Sequence, residues 1–562
     1  MKLLRTAGRP GPRALLLGLS LLTLFAFCGY PFVTLLSKIF FSPETGAFTI
    51  EPFRESLASE SVHKAIFNTI FVSIAVTVVC LFTAVPLAWL LTRTDFPAAS
   101  RFRSLLCLPF AIPPYIGAIA WIFLANPSTG LLNKIFGSSL LNIYSYTGLV
   151  FVEASFLYTF ILLTALSSLE RMDSSLEEAA RLSGASSWRV FRDVSLPLMR
   201  PALTSGALLV FLATAASFGV PALIGGPGRI FLMTTQIYTF QKMGSLSGLL
   251  RAGALSSILM AAALLILLLA QLSSRGQKLQ TVSGKTARPS VLALGKMRMP
   301  AVALVSVFLF VVFVLPIGGI AISSLSRVQG DLSFSNFTID PWIRTLFETH
   351  ETGRAFFNSL MLATGAASIA AVLGLFLSYL QVKTRLPGRG ALEMFATLPY
   401  ATPGTVVALA LIIAFSGSFF GILPSLYNTF GLLLIAYVVK YLSFAVKTTG
   451  DGFGQIDDVL AEAARVSGAG WTQTLWTIWI PLLKPSLVAA WFLIFMPVMS
   501  ELTMSVLLSG PGLETIGTVI FQLQEYADAG GGGASVLALI VVGAVILVNA
   551  VVRRLSGGKY GL

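Results

Sequence analysis

The sequence predicts an all-α polytopic membrane protein of about 12 transmembrane helices, arranged as two parallel six-helix repeats. Three observations predict it. Hydrophobic residues fill 56% of the 562 positions and charged residues only 11%. Together with a mean hydropathy of +0.84, that is the composition of a membrane protein, not a soluble one. Apolar runs of about 20 residues, long enough to cross the hydrocarbon core, recur along the whole chain. One polar stretch occurs twice: 173–201 reads DSSLEEAARLSGASSWRVFRDVSLPLMRP and 457–485 reads DDVLAEAARVSGAGWTQTLWTIWIPLLKP.

Taken in order, Met1–Arg13 carries four basic residues and precedes an apolar run from Ala14 to Leu36. That run is longer than a signal-peptide core and lacks a clear small-residue cleavage site, so it reads as a first membrane helix entering from the cytoplasm. Further runs fall at 65–92, 103–125, 147–168, 202–224 and 252–273. A polar, basic linker without helical periodicity, 274–299, separates this first half (1–273) from a second (300–562). The second half has runs at 300–325, 357–382, 393–416, 430–447, 486–508 and 535–552. The halves match outside the polar stretches too. At an offset of 290, Asn68-Thr69 corresponds to Asn358-Ser359, Leu108-Pro109 to Leu398-Pro399, and Pro113 to Pro403. Six spans per half with the same polarity make the repeats parallel, related by an axis along the membrane normal.

The net charge of +14 raises the question of a nucleic-acid partner. Its distribution answers it. Of the 38 Lys and Arg, 27 fall in one set of alternating loops and 10 in the other, with Lys440 inside a span. This positive-inside bias places both termini and both polar stretches in the cytoplasm and speaks against nucleic acid. Cys28, Cys80 and Cys107 lie in apolar runs without disulfide or zinc spacing, and His63 and His350 stand alone in polar loops. No catalytic set and no metal site can be assembled from them.

Each polar stretch describes a helix, a turn and a second helix. Ser174 and Glu177 have capping-box spacing, and Asp457 or Asp458 can cap the second copy. Ala, Glu, Leu and Arg then favour helix, and Gly184 and Gly468 stand where a positive-φ residue would end it. Trp188 and Trp471 open a second amphipathic run that is expected to stop before Leu196-Pro197 and Ile480-Pro481. At an offset of 284, Glu178-Ala179-Ala180 aligns with Glu462-Ala463-Ala464 and Gly184 with Gly468. Small alanines allow another protein's surface to approach the backbone, and the glutamate offers that partner a charge.

E-A-A, three residues, G, and L/I-P thirteen residues later resembles the EAA coupling loop of bacterial ABC-importer permeases. One copy would be weak evidence; two with identical spacing, each between the fourth and fifth runs of its half, are specific. The resemblance covers nearly the whole chain and implies a type I ABC importer permease fold, fused from two halves. It also implies a bacterial inner-membrane location, coupling loops at 173–201 and 457–485, and contacts to two copies of a cytoplasmic ABC ATPase subunit. The remaining partners it implies are membrane lipid and a periplasmic or lipid-anchored substrate-binding protein. By the same resemblance, ATP is used by the partner subunits and no cofactor is bound by this chain. Ser283-Gly284-Lys285-Thr286 ends like a phosphate-binding loop, but Leu279 stands where that loop needs glycine.

Ionisable groups inside spans are costly, which singles out Glu153, Lys440 and Glu501, with Ser217 as the positional counterpart of Glu501. They either line a hydrated translocation path or pair across the repeat axis, or they are satisfied by snorkelling and interhelical contacts. The acids Glu177-Glu178 and Asp457-Asp458 read as capping and solvated groups. Gly225–Gly228, Gly510–Gly512 and Gly530–Gly533 read as turns or flexible loops. Ser500–Thr503, Leu508–Gly512 and the tail Arg553–Gly561 are similar to the ferric-iron subgroup of such importers, which points to ferric iron as substrate. Relatives importing thiamine, polyamine, aminoethylphosphonate, sulfate or molybdate share the loop. An ion-gradient-driven secondary carrier would show twelve spans and repeats as well, without needing two matched loops.

Overall fold

The computed structural model describes residues 12–42, 45–275, 291–331, 333–417, 424–525 and 532–555. The Ser283–Thr286 stretch, most of the linker, residues 556–562 and Gly530-Gly531 lie outside them. Among the described residues there are only helices and three isolated bridges.

The first half is built from α1 (Leu15–Phe40), α2 (Glu60–Arg93), α3 (Ala99–Ala111), α4 (Pro114–Ala125), α5 (Tyr146–Arg171), α6 (Ser174–Leu182), α7 (Ser187–Ala215), α8 (Met233–Lys242) and α9 (Leu246–Arg275). The second half repeats the order as α10 (Gly295–Ser324), α11 (His350–Val382), α12 (Arg389–Ala401), α13 (Gly404–Phe415), α14 (Phe430–Gln455), α15 (Asp458–Val466), α16 (Trp471–Met499), α17 (Ile516–Glu525) and α18 (Gly533–Leu555). Among the described residues nine helices are long and apolar enough to cross a membrane, or eleven if each of two bent pairs is one span. The last expected run is α18, apolar over Gly533–Val548.

Three expectations need correction. The third and ninth runs are not straight: α3/α4 bend by 94° and α12/α13 by 109°. Proline explains this, because Ile112 and Thr402 precede Pro113 and Pro403 and take extended ψ values of 129° and 140°. The fifth and eleventh runs are not single helices, since α7 ends at Ala215 and α16 at Met499. Nor does the second helix of each polar stretch stop before its Leu/Ile-Pro. It continues through Pro197 and Pro481 into the span after a wide π turn at Phe191–Ser195 or Leu475–Trp479. The extra residue in that turn accommodates the missing proline N–H and the bulk of its ring. Pro31 and Pro316 sit after π turns in the same way, in α1 and α10.

The first helix of each half crosses to the other half. Phe25 of α1 packs edge-on against Phe395, and Phe27 stacks on Phe415 at 6.3 Å. On the opposite side, Phe308 of α10 meets Tyr158 at 5.2 Å and Gly319 lies against Leu124. Two hydrophobic cores result, each drawing on both halves. The Asn-Thr and Asn-Ser repeats have the same job in each half. Asn68 Nδ2 donates to the Phe231 carbonyl and Thr69 Oγ1 accepts from Met233 N–H, the first residue of α8. Asn358 Nδ2 donates to the Gly512 and Glu514 carbonyls, and Ser359 Oγ accepts from Ile516 N–H at the start of α17.

Candidate functional site

The two polar stretches fold as matched elbows. α6 is capped by Asp173, which accepts from Ser175 N–H, and α15 by Asp457, which accepts from Val459 N–H. The Ser174/Glu177 capping box does not form, because Asp173, one residue earlier, takes the capping position. The backbone hydrogen bond holds the exposed Asp173 carboxyl below the usual carboxylate range. Both helices end in the double bond pattern of a left-handed glycine cap. Ala185 N–H reaches the Ala180 carbonyl and Gly184 N–H the Arg181 carbonyl, mirrored by Ala469 to Ala464 and Gly468 to Arg465. Gly184 has φ +84° and Gly468 φ +83°, where only glycine is unstrained.

These caps present one face outward on each elbow. Glu178, Ala179, Glu462 and Ala463 are exposed, and Ala180 and Ala464 are half-buried. Beside them stand apolar side chains at matching positions, Leu182 at 90% exposure and Val466 at 89%. Leu176 and Leu460 repeat the match one face-turn earlier.

Sequence reasoning missed Glu177. It is not solvated but 1% exposed, and its Oε2 lies 2.9 Å from Nε of Arg93, itself 2% exposed. Ser195 Oγ donates to Glu177 Oε1 at 2.7 Å, and Arg93 Nη2 donates to the Leu169 carbonyl at 2.8 Å. The available signal was a break in the repeat. The counterparts of Arg93, Glu177 and Ser195 are Lys383, Ala461 and Trp479.

Within the spans, Glu153 on α5 is 1% exposed, faces Ser217 just beyond α7, and has an Oε1 without a hydrogen-bond partner among the described residues. At the equivalent place in the second half the roles are exchanged. Tyr437 occupies the Glu153 position and Glu501 the Ser217 position. Glu501 is not inside a helix. It follows the end of α16 and caps the next turn, accepting from Met504 N–H at 2.8 Å, Ser505 N–H at 2.9 Å and Ser505 Oγ at 2.6 Å. Tyr437 Oη shares a hydrogen bond with Ser505 Oγ at 2.6 Å. Lys440 donates to the carbonyls of Pro399, Tyr400 and Thr402, where the α12/α13 bend leaves them without helical partners. Among the described residues none of these three groups makes an ion pair. Tyr115 Oη, donating to the Ser500 carbonyl at 3.3 Å, ties the first bend to the break beside Glu501 in the other half.

Paired repeats of membrane-length helices, a bent helix pair in each, and two exposed elbows define a polytopic membrane permease. The chain belongs to the family described as binding-protein-dependent transport system inner membrane component, whose profile matches residues 84–279 and 370–558. It is 26% identical over 529 residues to a ferric transport system permease protein of Actinobacillus pleuropneumoniae, covering 93% of this chain and 75% of that one. A probable ABC transporter permease protein of Sinorhizobium fredii is 26% identical over 525 residues, covering 90% of each. A sulfate transport system permease protein of Escherichia coli is 28% identical over 198 residues, covering 35% of this chain and 68% of the relative. A solved chain of a bacterial alginate ABC transporter aligns with a TM-score of 0.37 at 20% identity, covering 47% of this chain and 98% of that one.

Proposed function

We propose that this chain is the two-half permease subunit of an ATP-driven importer, with ferric iron as its substrate. The observation that carries the reading is the matched pair of elbows. Two capped helices with the same outward Glu-Ala-Ala face, the same left-handed glycine and the same exposed apolar pair suit two copies of one partner. Each copy would be a cytoplasmic ABC ATPase subunit, which supplies the ATP site this chain does not provide. Glu178 and Glu462 are the charged contacts. Ala179, Ala180, Ala463 and Ala464 allow close approach, and Gly184 and Gly468 set the bend. Both termini and both elbows lie in the cytoplasm on the strength of the Lys and Arg bias. A substrate-binding protein delivers cargo on the opposite face.

Closure of the ATPase pair would draw the elbows together and rock the halves about their shared cores, opening the path outward; hydrolysis would return it inward. Glu153, Ser217, Lys440 and Glu501 flank the bends and breaks where the halves meet, which is where such a path would run. Long alignments with ferric transport permeases support iron. The shorter alignments with sulfate and molybdate/tungstate permeases keep those oxyanions as the second reading. The test is uptake of radiolabelled ferric iron, and separately of sulfate and molybdate, into proteoliposomes holding the chain with its co-expressed ATPase and binding protein. ATP-dependent iron uptake is expected. Uptake that ignores ATP and follows an ion gradient would overturn the proposal.

A further inference from the structure

The elbows share a docking face but not an anchorage. In the first half one desolvated cluster joins four segments. Arg93 closes α2, Leu169 belongs to the end of α5, Glu177 lies on α6, and Ser195 lies in the π turn of α7. Both charges are withdrawn from water, so any tilt of α6 away from α2 would strand a buried ion without its partner or its solvent. Among the described residues the second half has no such cluster. Lys383 reaches the Ile456 carbonyl at 2.7 Å and Asp458 at 2.5 Å, but the Asp458 side chain is 74% exposed. The Lys383 side chain is 11% exposed, so only the carboxylate end of this pair stands in water, and a pair open to solvent on that side is weakened by water and salt. Ala461 offers no polar grip. Trp479, in place of Ser195, packs on Tyr379 at 4.9 Å and on Phe453 at 6.2 Å. That packing holds the second helix of the elbow, while α15 itself has no buried residue, in contrast to α6, where Ser174 and Glu177 are buried.

We propose that Arg93, Glu177 and Ser195 are positioning residues that lock the first elbow to its own half as one rigid lever, while the second elbow swivels on its half, so that the two halves respond unequally to the ATPase pair. This rests on the reading of the elbows as ATPase contacts. α6 and α15 have the same length, the same cap type and the same terminal glycine, so intrinsic helix stability does not distinguish them.

The experiment uses the full chain with its co-expressed ATPase in lipid nanodiscs. Hydrogen exchange in the wild type is expected to be at least tenfold slower over Ser174–Leu182 than over Asp458–Val466. Equal rates, or the reverse order, would overturn the inference without any variant. The double variant Arg93→Met/Glu177→Met keeps volume and leaves the outward face untouched. It is expected to raise the ATP hydrolysed per substrate imported severalfold at an unchanged KM for ATP, with co-purification of the ATPase retained. Lys383→Met is expected to leave that ratio within about twofold. If the double Met variant does not insert, Glu177→Gln, which keeps the Ser195 hydrogen bond, provides the same comparison. An unchanged ratio in the inserted variant, or an equal change with Lys383→Met, would overturn it. Failure of the wild-type chain to bind an ATPase would instead strike the proposed function.

Discussion

Replacing Glu501 with Gln separates a capping role from a direct role in the path. The carboxylate satisfies three donors at once: Met504 N–H through Oε1, and Ser505 N–H and Ser505 Oγ through Oε2. A glutamine has a single acceptor oxygen, and its amide N–H₂ must face one of the two backbone donors. The Ser505 hydroxyl can turn toward Tyr437 Oη, but the orphaned backbone N–H has no other partner among the described residues. A buried unsatisfied donor costs roughly 1–3 kcal/mol, and exchanging a charge-assisted bond for a neutral one loses about 1 kcal/mol more. The sum, about 2–4 kcal/mol, corresponds to roughly 30- to 1000-fold more frequent local opening. Hydrogen-exchange mass spectrometry of a peptide covering Ser500–Leu508 should show that increase at Met504 and Ser505, with substrate uptake falling alongside. Unchanged exchange with lost uptake would refute the capping argument and place the charge in direct contact with substrate.

Two further outcomes follow from the elbows. In Gly184→Ala and Gly468→Ala the new Cβ meets no atom within 4 Å, so the cost is the left-handed backbone alone, about 1–2 kcal/mol. Asn, which tolerates that conformation better, should fall between Gly and Ala in the amount of ATP hydrolysed per substrate imported. Ala performing as well as Gly would contradict the bend's role. Lys383 holds the Asp458 carboxyl below its ordinary value of 3.8 by hydrogen bond and charge. A depressed carboxylate contributes its stability above the unfolded pKa and loses it as pH falls through the folded one. The Lys383–Asp458 contact should therefore be flat from pH 8 to 5 and release only below about pH 4. Hydrogen exchange over Asp458–Val466 measured across that range checks it, and loosening near pH 6 would contradict the assignment.

Much of this molecule was legible because the bilayer imposes simple rules. Apolar runs of span length overlap all nine of the long apolar helices among the described residues, and repeated Asn68-Thr69 and Asn358-Ser359 mark positions that pin the start of α8 and α17. Repeated Pro113 and Pro403 marked something real, but hydropathy averages over a window and sees no angle, so the bends were invisible as bends. Glu501 was misplaced for the same reason: an apolar window continues through the break after Met499, although the helix does not. Leu196-Pro197 and Ile480-Pro481 read as stops because proline opposes a regular α turn; the π turns at Phe191–Ser195 and Leu475–Trp479 remove that opposition. Glu177 shows the deepest limit. A glutamate beside Glu178 in a polar stretch looks solvated until Arg93, 84 positions away, is brought to 2.9 Å.

By itself the sequence determined the class of element, the number and order of the halves, and the local chemistry of the elbows, because helix periodicity, capping and glycine's freedom are short-range properties of the chain. Tertiary structure alone decided which half each first helix packs against, where the span acids find their partners, and which elbow is braced by a buried charge pair. Those outcomes depend on desolvation and on contacts between distant segments. Neither exists until the segments are packed together.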